Sequence, residues 1–173
     1  MGTDATGQSW PAHAIVAGQG RGAPLLLAEP LSFWGGYDAV QGCVVESAHP
    51  QCGARLAGRV MLMERAKGSS SSSSVLAEAI RNGTGPAAIV MRERDLIVGL
   101  GCIVASELYG LHVPVVVVDE STWQALVGLG TSASQGNCGA CELHIDAAQP
   151  GDCLIRTSAH SADNGPPTIG TNP

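Results

Sequence analysis

Aromatic side chains and positive charges are both scarce in this sequence. Only 3% of the 173 residues are aromatic, and 9 lysines and arginines face 15 aspartates and glutamates, for a formal net charge of −6 at pH 7. Nucleic-acid binding depends on clusters of basic side chains that neutralise phosphates, and the sequence contains no such cluster. The composition therefore excludes a nucleic-acid-binding protein and predicts a core of aliphatic side chains.

Long apolar runs are missing as well. A membrane-spanning helix requires about 20 consecutive apolar residues. The longest apolar run covers only residues 113–118 and contains Pro114. The first ten residues have no basic segment followed by an apolar one, so we expect neither a secretory signal nor a membrane contact. The 6 cysteines are accordingly expected to be reduced thiols of a cytoplasmic protein.

Apolar residues and glycine are abundant instead. Hydrophobic residues make up 45% of the chain and charged residues 14%, which is typical of a folded protein rather than a disordered one. The length fits one domain of about 100–200 residues. We expect a loose leader over 1–11, one folded domain over 12–156 and a tail over 157–173.

Residue patterns predict a strand-rich first half followed by alternating helices and strands. Helices are expected over 75–80, 103–109 and 122–127, the second of them closed by Gly110. Strands are expected over 13–17, 23–28, 43–46, 58–63, 87–91, 113–118, 141–146 and 153–156. The first two strands are expected to be joined by a glycine-rich turn over 18–22. This order of elements predicts a mixed α/β domain.

The most unusual segment is Lys67-Gly68, which is followed by serines 69–74. Serine runs are commonly low-complexity linkers. Here, however, strand-like and helix-like apolar segments lie directly on both sides, and serine favours helix N-termini because its hydroxyl accepts a hydrogen bond from a free backbone NH. We therefore expect a strand-to-helix turn, where free amides and the positive end of the helix dipole would face a bound anion.

Lys67 is the only lysine in the sequence, and two interpretations of it are open. Beside a glycine and a helix N-terminus it is suited to bind a carboxylate or a phosphate; the alternative is a solvated surface side chain. A nucleotide-binding P-loop is set aside because its order is Gly-Lys-Ser/Thr rather than Lys-Gly-Ser. The glycine clusters at 18–22 and 99–101 do not match the dinucleotide-binding spacing and are expected to form turns.

A pair of cysteines, Cys138 and Cys141, has the CxxC spacing of a metal site. With His144 and Cys153 it could form a zinc or iron–sulfur site. The stronger alternative is a strand, because apolar residues alternate from position 141 onward and place His144 on the opposite face. The second half of a paired CxxC pattern is also missing, so we expect no metal ligand in this chain.

A histidine and two arginines leave further alternatives open. His49, in a loop beside Pro50, could be an acid/base group, a partner contact or a structural loop histidine. Arg59 and Arg65 could bind anions or form ordinary surface ion pairs.

A series of motifs follows one another in a fixed order between residues 12 and 130. In chain order these are Pro30-Leu31-Ser32-Phe33-Trp34-Gly35-Gly36, Asp38, Gly42, His49-Pro50, Gly53, Leu56-Ala57-Gly58-Arg59-Val60, Lys67-Gly68-Ser69, Val75-Leu76, Pro86-Ala87-Ala88-Ile89 and Pro114-Val115-Val116. Their combination resembles the small, swivelling domain of aconitase X. The resemblance implies an α/β fold of the swivelling β/β/α type found in the aconitase superfamily.

Aconitase X enzymes are dehydratases built of two portions. The large portion holds an iron–sulfur cluster and most of the substrate site, and the swivelling portion closes over it, as a fused domain or as a separate small subunit. The resemblance therefore implies that this chain is the small subunit of a hydro-lyase. It also implies a partner, the large catalytic subunit of aconitase X type, and an iron–sulfur cluster held by that partner.

The swivelling portion of this family supplies a catalytic serine directly after a Lys/Arg-Gly pair. That position is Ser69 here, with Ser70 as the alternative base, and the resemblance implies that Lys67, Gly68 and Ser70 contact the substrate. The family often has arginine before the glycine; Lys67 keeps the charge but loses the bidentate fork that arginine offers a carboxylate. A serine hydroxyl can act as a base only where amides, a helix N-terminus and a cation stabilise its alkoxide.

The family's known activities leave two hydroxy acids as substrates. One is cis-3-hydroxy-L-proline, dehydrated to pyrroline-2-carboxylate, and the unbroken serine run resembles bacterial members of this type. The other is (R)-5-phosphomevalonate, whose phosphate calls for more cations than a sequence with 9 lysines and arginines readily offers. A non-catalytic binding or structural module, which kept the fold and lost the base, is the third alternative. We expect the hydroxyproline reaction.

Overall fold

The computed structural model of the protein describes residues 7–134 and 141–159. In this part of the chain the strands are β1 (Ser9–Val16), β2 (Gly18–Leu27), β3 (Tyr37–Asp38), β4 (Cys43–Val44), β5 (Arg59–Met63), β6 (Ala88–Met91), β7 (Val115–Val117), β8 (Cys141–Ala147) and β9 (Gly151–Ala159). The helices are the single turn α1 (Phe33–Gly36), α2 (Ser72–Arg81), α3 (Leu96–Tyr109) and α4 (Glu120–Ser134). The mixed α/β class predicted from the sequence is confirmed.

A closed barrel of strands, in the order β1-β7-β6-β5-β2-β8-β9, forms the centre of the fold, and β3 and β4 form a small separate sheet. Strands β2, β5, β6 and β7 are parallel neighbours, whereas β1, β8 and β9 pair antiparallel. Helices α2 and α3 connect β5 to β6 and β6 to β7, so both begin where the parallel strands end. We call this end of the barrel the carboxyl edge.

The central parallel strands are buried on both faces. In β5, Val60 and Leu62 belong to one apolar cluster, and Met61 and Met63 belong to a second cluster that includes residues of α2 and α3. All four side chains have 0% exposure. Because alternate residues of a strand face opposite sides, one set fills the barrel and the other meets the helices. Two-sided burial explains why these strands are continuous apolar runs.

The glycine-rich turn expected over 18–22 is wrong, because these residues form the first half of β2. A Cβ atom at Gly20 would overlap the carbonyl oxygen of Ala87, and one at Gly22 would overlap that of Gly58. Closing the barrel brings these backbones into contact. Glycine is therefore required here for close approach between strands rather than for turning the chain.

The cluster at 99–101 also forms no turn, because it lies inside α3. A Cβ atom at Gly101 would lie 2.8 Å from the carbonyl oxygen of Ser73 and 3.1 Å from the Cβ of Leu76, both on α2. Gly101 therefore allows α2 and α3 to pack closely. At Gly99 an added Cβ would make only ordinary contacts, the nearest at 3.7 Å.

Helix α3 begins earlier than the expected 103–109 because Asp95 caps it. The Asp95 carboxylate accepts hydrogen bonds from the backbone N–H groups of Ile97 and Val98 at 2.9 and 2.8 Å. The expected end is confirmed: Gly110 closes the helix in the left-handed conformation, with φ 66°. Helix α4 is likewise longer than the predicted 122–127. None of the helices in the described residues is long and apolar enough to cross a membrane.

Both ends of the predicted domain extend further than expected. Strand β1 begins at Ser9, inside the predicted leader over 1–11, because Ser9 pairs with Arg156 of β9. Strand β9 runs to Ala159, inside the predicted tail, because Ala159 pairs with Cys141 of β8. These pairings join segments that are far apart in sequence.

An added methyl group should have opposite effects on stability at a glycine of β2 that touches another backbone and at a glycine of α3 that has free space. We expect Gly22→Ala to lower the free energy of unfolding by about 1–3 kcal/mol, because the methyl group meets the Gly58 carbonyl. Gly99→Ala should raise it by about 0.5–1 kcal/mol, because the site has room and alanine favours a helix. Urea unfolding of both variants measures this, and a Gly22→Ala variant as stable as wild type would contradict the close approach of β2 to its neighbours.

Candidate active site

The predicted site residues lie together at the carboxyl edge. They occupy the connection between β5, which ends at Met63, and α2, which begins at Ser72. Lys67, Gly68, Ser69 and Ser70 are all solvent-exposed. In α/β proteins, ligands bind beyond the carboxyl ends of parallel strands.

The serines form a turn that leads into α2, which excludes the linker alternative. The backbone N–H groups of Ser72 and Ser73 donate to the carbonyl oxygens of Ser69 and Ser70, at 2.9 and 3.2 Å. The Ser69 hydroxyl oxygen accepts a hydrogen bond from the Ser71 N–H at 3.2 Å. We call residues 68–72 the serine turn. The Ser69 oxygen thus faces an amide and the positive end of a helix, both of which stabilise negative charge on it.

Gly68 is required by a close contact as well as by its backbone conformation. Its φ of +99° lies in the left-handed region that side chains rarely adopt, and a Cβ atom there would overlap the side chain of Ser32. The predicted substrate contact at Gly68 is therefore accompanied by a structural role that the sequence did not reveal.

The serine turn is joined to the loop over residues 32–36, which we call the Trp34 loop. The buried Ser72 hydroxyl accepts a hydrogen bond from the Trp34 N–H at 3.1 Å and lies 3.3 Å from the Ser32 hydroxyl. The Ser32 hydroxyl donates to the Trp34 carbonyl oxygen at 3.0 Å. The Trp34 side chain itself is 61% exposed. Ser32 and Ser72 thus hold the backbone of a loop that carries an exposed indole.

Lys67 is oriented by a carboxylate that the sequence analysis missed. Its ammonium group lies 2.8 Å from Oε1 of Glu46, and the two side chains are 45% and 29% exposed. The Glu46 backbone N–H donates to the Gly36 carbonyl oxygen at 3.4 Å, which ties this ion pair to the Trp34 loop. Exposed ion pairs contribute little stability, so an anionic ligand could replace Glu46 at Lys67. The one sequence signal that pointed to such a partner is that the single lysine calls for a nearby carboxylate.

His49 is a structural histidine, which settles its open alternatives. Its side chain is buried, with 3% exposure. Nδ1 accepts a hydrogen bond from the Gln51 N–H, and Nε2 therefore carries the proton and donates to the Glu29 carbonyl oxygen; both distances are 3.0 Å. Neither ring nitrogen is left for proton transfer or for a partner.

One of the two candidate arginines is structural in the same sense. Arg59 donates to the carbonyl oxygens of Ala23 and Pro24 at 3.2 and 3.0 Å, and so connects β5 to β2. Arg65 is exposed at the carboxyl edge.

One half of the predicted CxxC pair, Cys138, lies outside the described residues. Cys141 is half-buried in β8, and His144 bonds to the Ser158 hydroxyl at 2.6 Å. Among residues 7–134 and 141–159, no three His, Cys, Asp or Glu side chains are grouped so that they could hold a metal ion. Burial raises the pKa of the Cys102 thiol to about 12, which keeps it protonated and unreactive.

A cleft of about 630 Å³ lies at the opposite end of the barrel. Its walls include Pro86 and Ala87, which precede β6, and Val113, which precedes β7. None of the predicted site residues lines it.

The contact between Gly68 and Ser32 can be tested against a glycine of similar conformation. Gly53 has φ +85°, but an added Cβ there would have nothing within 4 Å. We expect Gly68→Ala to lower the free energy of unfolding by about 1–3 kcal/mol more than Gly53→Ala does. Ser32→Gly in the Gly68→Ala background should recover much of that difference, as a double-mutant cycle would measure. Equal losses at Gly68 and Gly53 would mean that the contact is unimportant.

Comparison with known proteins gives a consistent result. The family model described as the aconitase X swivel domain matches residues 9–134. The chain is 38% identical over 138 residues to a cis-3-hydroxy-L-proline dehydratase of Pseudomonas aeruginosa, covering 80% of this chain and 23% of that protein. It is 41% identical over 93 residues to a phosphomevalonate dehydratase small subunit of Methanothermobacter thermautotrophicus, covering 54% of this chain and 71% of that protein.

A solved structure has the same fold. Aconitase X of Thermococcus kodakaraensis, in its holo-form, superposes with a TM-score of 0.66 at 26% identity, over 86% of this chain and 98% of that chain. The chain spans only about a quarter of the length of the hydroxyproline dehydratases that it matches. Because the family model covers most of the chain and the fold agrees, the chain belongs to the aconitase X swivel domain family.

Proposed function

We propose that the chain is the small subunit of a heteromeric hydro-lyase that eliminates water from cis-3-hydroxy-L-proline to give pyrroline-2-carboxylate, with Ser69 as the base. The observation that carries the proposal is the environment of the Ser69 hydroxyl oxygen. It is exposed at the start of α2 and accepts the Ser71 N–H, in a segment that also presents Lys67.

The chemistry required of this chain is removal of a proton from the carbon beside the substrate carboxylate. Ser69, as its alkoxide, would take that proton, and the Ser71 amide together with the helix N-terminus would stabilise the alkoxide beforehand. Lys67 would bind the substrate carboxylate by exchanging its partner Glu46, and Ser70 would contact the substrate beside it. The leaving hydroxyl requires a Lewis acid, which we assign to an iron–sulfur cluster in the large subunit.

A large catalytic subunit is the partner that we propose. Some relatives are matched over most of their own length, and these are named small subunits of a dehydratase. The hydroxyproline dehydratases, in contrast, are about four times as long as the segment they share with this chain. Both arrangements combine this domain with a larger portion. We propose that the small subunit acts in the cytoplasm.

Phosphomevalonate is the second candidate substrate, because several relatives carry that name. The pairing of one arginine at the carboxyl edge argues against it. Arg92, which follows β6, is already held by Glu64, Glu93 and Glu120 at 3.0, 3.2 and 2.8 Å. Those three carboxylates neutralise the charge that Arg92 could otherwise offer a substrate phosphate. A non-catalytic module is the remaining alternative, and it predicts that Ser69 is dispensable.

Replacement of Ser69 tests the proposed base. Ser69→Ala in the assembled complex should lower kcat for cis-3-hydroxy-L-proline by about 10²–10⁴-fold, the usual contribution of a general base. Ser74→Ala is the matched control, since Ser74 is an exposed serine of the same run inside α2. It should keep the activity. A Ser69→Ala complex with the turnover of wild type would reject Ser69 as the base and favour the non-catalytic module.

Replacement of Lys67 tests the carboxylate contact. Lys67→Ala should raise KM by about 10–100-fold, because a hydrogen bond to a charged group is lost. Lys67→Arg keeps the positive charge and should stay within a few fold of wild type. Steady-state kinetics of the complex measure both variants. An unchanged KM in Lys67→Ala would show that Lys67 is only paired to Glu46.

A further inference from the structure

The cleft at the end of the barrel opposite the serine turn contains polar groups that the proposed function does not use. Its volume is about 630 Å³, and Arg21 of β2, His144 of β8 and His112, which precedes β7, all line it. The apolar part of its wall includes Ile80, Pro86, Leu111 and Val113. A cleft of this volume, with apolar walls and a few polar groups, is typical of a small-molecule site.

Two of these polar residues belong to a row of basic side chains across three neighbouring strands. Arg21 of β2 pairs with His144 of β8, and His144 pairs in turn with Arg156 of β9. Residues directly opposite each other in antiparallel strands share one face of the sheet. Leu143 and Ile145, on either side of His144, fill the barrel, so the row lies on its outer face. We call Arg21, His144 and Arg156 the basic row.

The arginines of the basic row have no counter-charge in the described part of the chain. Within residues 7–134 and 141–159, the guanidinium groups of Arg21 and Arg156 make no hydrogen bond or ion pair. Asp146 and Glu142 lie two residues from His144 along β8, about 7 Å in each direction. Asp146 accepts a hydrogen bond from the Gln19 side chain at 3.0 Å, and Glu142 lies 3.9 Å from Nε2 of His144. Like charges opposite each other in a sheet repel, so the row favours an anion from outside the chain.

Each histidine of the cleft keeps one ring nitrogen for a ligand. His112 bonds through Nδ1 to the Ser106 hydroxyl at 2.8 Å, and His144 bonds through Nε2 to the Ser158 hydroxyl at 2.6 Å. The other nitrogens, Nε2 of His112 and Nδ1 of His144, make no hydrogen bond within the described residues. A serine hydroxyl can donate as well as accept, so each ring can present an N–H group to an anionic oxygen.

We propose that the cleft binds a small organic phosphate, with the phosphate against Arg21 and His144 and the rest of the molecule against Ile80, Pro86 and Leu111. The planar guanidinium of arginine is suited to a two-point contact with a phosphate. The third member of the basic row adds positive charge beside the cleft. Several basic groups in one row favour a doubly charged phosphate over a singly charged carboxylate.

The cleft is separate from the candidate active site. Helix α2 begins at Ser72, in the serine turn, and reaches the wall of the cleft at Ile80. Eight residues of helix span about 12 Å. A ligand in the cleft therefore leaves Ser69 free for its substrate, and its binding requires neither Lys67 nor a large subunit. The inference does not depend on the proposed function.

Calorimetry of the full chain with phenyl phosphate tests the site. We expect one-site binding that weakens as the salt concentration rises. Inorganic phosphate should bind about tenfold more weakly, because it has no apolar part to bury. Arg21→Gln should raise the Kd of phenyl phosphate by about tenfold or more, because a charge-assisted hydrogen bond is lost. Arg156→Gln should raise it by a smaller factor, since Arg156 lies beside the cleft.

Arg94→Gln is the matched control. Arg94 is an exposed arginine that follows β6 at the carboxyl edge, so its replacement removes the same charge far from the cleft. The Kd of this variant should stay within about twofold of wild type. Thermal unfolding of each variant alone checks that the fold is kept. Equal Kd values for Arg21→Gln and Arg94→Gln would overturn the proposal, because they would reduce the role of Arg21 to net charge.

A second pair of measurements locates the anion. Lys67→Ala should bind phenyl phosphate like wild type, and backbone amide signals of residues 19–21 and 83–87 should shift on titration while those of residues 68–72 stay in place. Binding that is lost in Lys67→Ala and kept in Arg21→Gln would place the anion at the serine turn and overturn the cleft. The absence of any saturable binding up to about 10 mM phenyl phosphate would overturn it as well.

Discussion

The contact between the serine turn and the Trp34 loop is the interaction on which the candidate site depends. Gly68 fits only because it has no side chain to meet Ser32, and the buried Ser72 hydroxyl holds the backbone of Trp34. Together they fix the place where Ser69 precedes α2. Glu46, seated on Gly36 of the same loop, adds the orientation of Lys67. The Trp34 loop therefore positions both the proposed base and the proposed carboxylate contact.

The barrel supplies the frame for this contact. Parallel strands place the starts of α2 and α3 at one edge, and close approach at Gly101 packs the two helices together. Close approach at Gly20 and Gly22 closes the other side of the barrel. Small residues thus act at three strand or helix contacts, and a larger side chain at Gly101 would change the spacing of α2 and α3 at the carboxyl edge. The site is exposed because its remaining parts belong, in our proposal, to a second subunit.

Much of this arrangement was predictable, and the failures have physical causes. The buried strand at 113–118 and the serine turn have local signals, namely a β-branched run and helix-capping serines. The glycines of β2 have no local signal, because the carbonyl groups that require them belong to Gly58 and Ala87, far away in sequence. The ion pair of Lys67 joins positions 21 residues apart, and the hydrogen bonds of His49 reach back to Glu29, so neither has a local signature. The inclusion of Ser9 in β1 and of Ala159 in β9 follows from strand pairing in the same way.

In our proposal the serine turn serves water elimination from a hydroxy acid that carries no phosphate. The most direct measurement is the turnover of cis-3-hydroxy-L-proline and of (R)-5-phosphomevalonate, side by side, by the wild-type complex purified anaerobically with its large subunit. We expect pyrroline-2-carboxylate formation and no turnover of phosphomevalonate. A complex with an intact cluster that dehydrates phosphomevalonate alone would contradict the substrate, and one that dehydrates neither would contradict the claim itself.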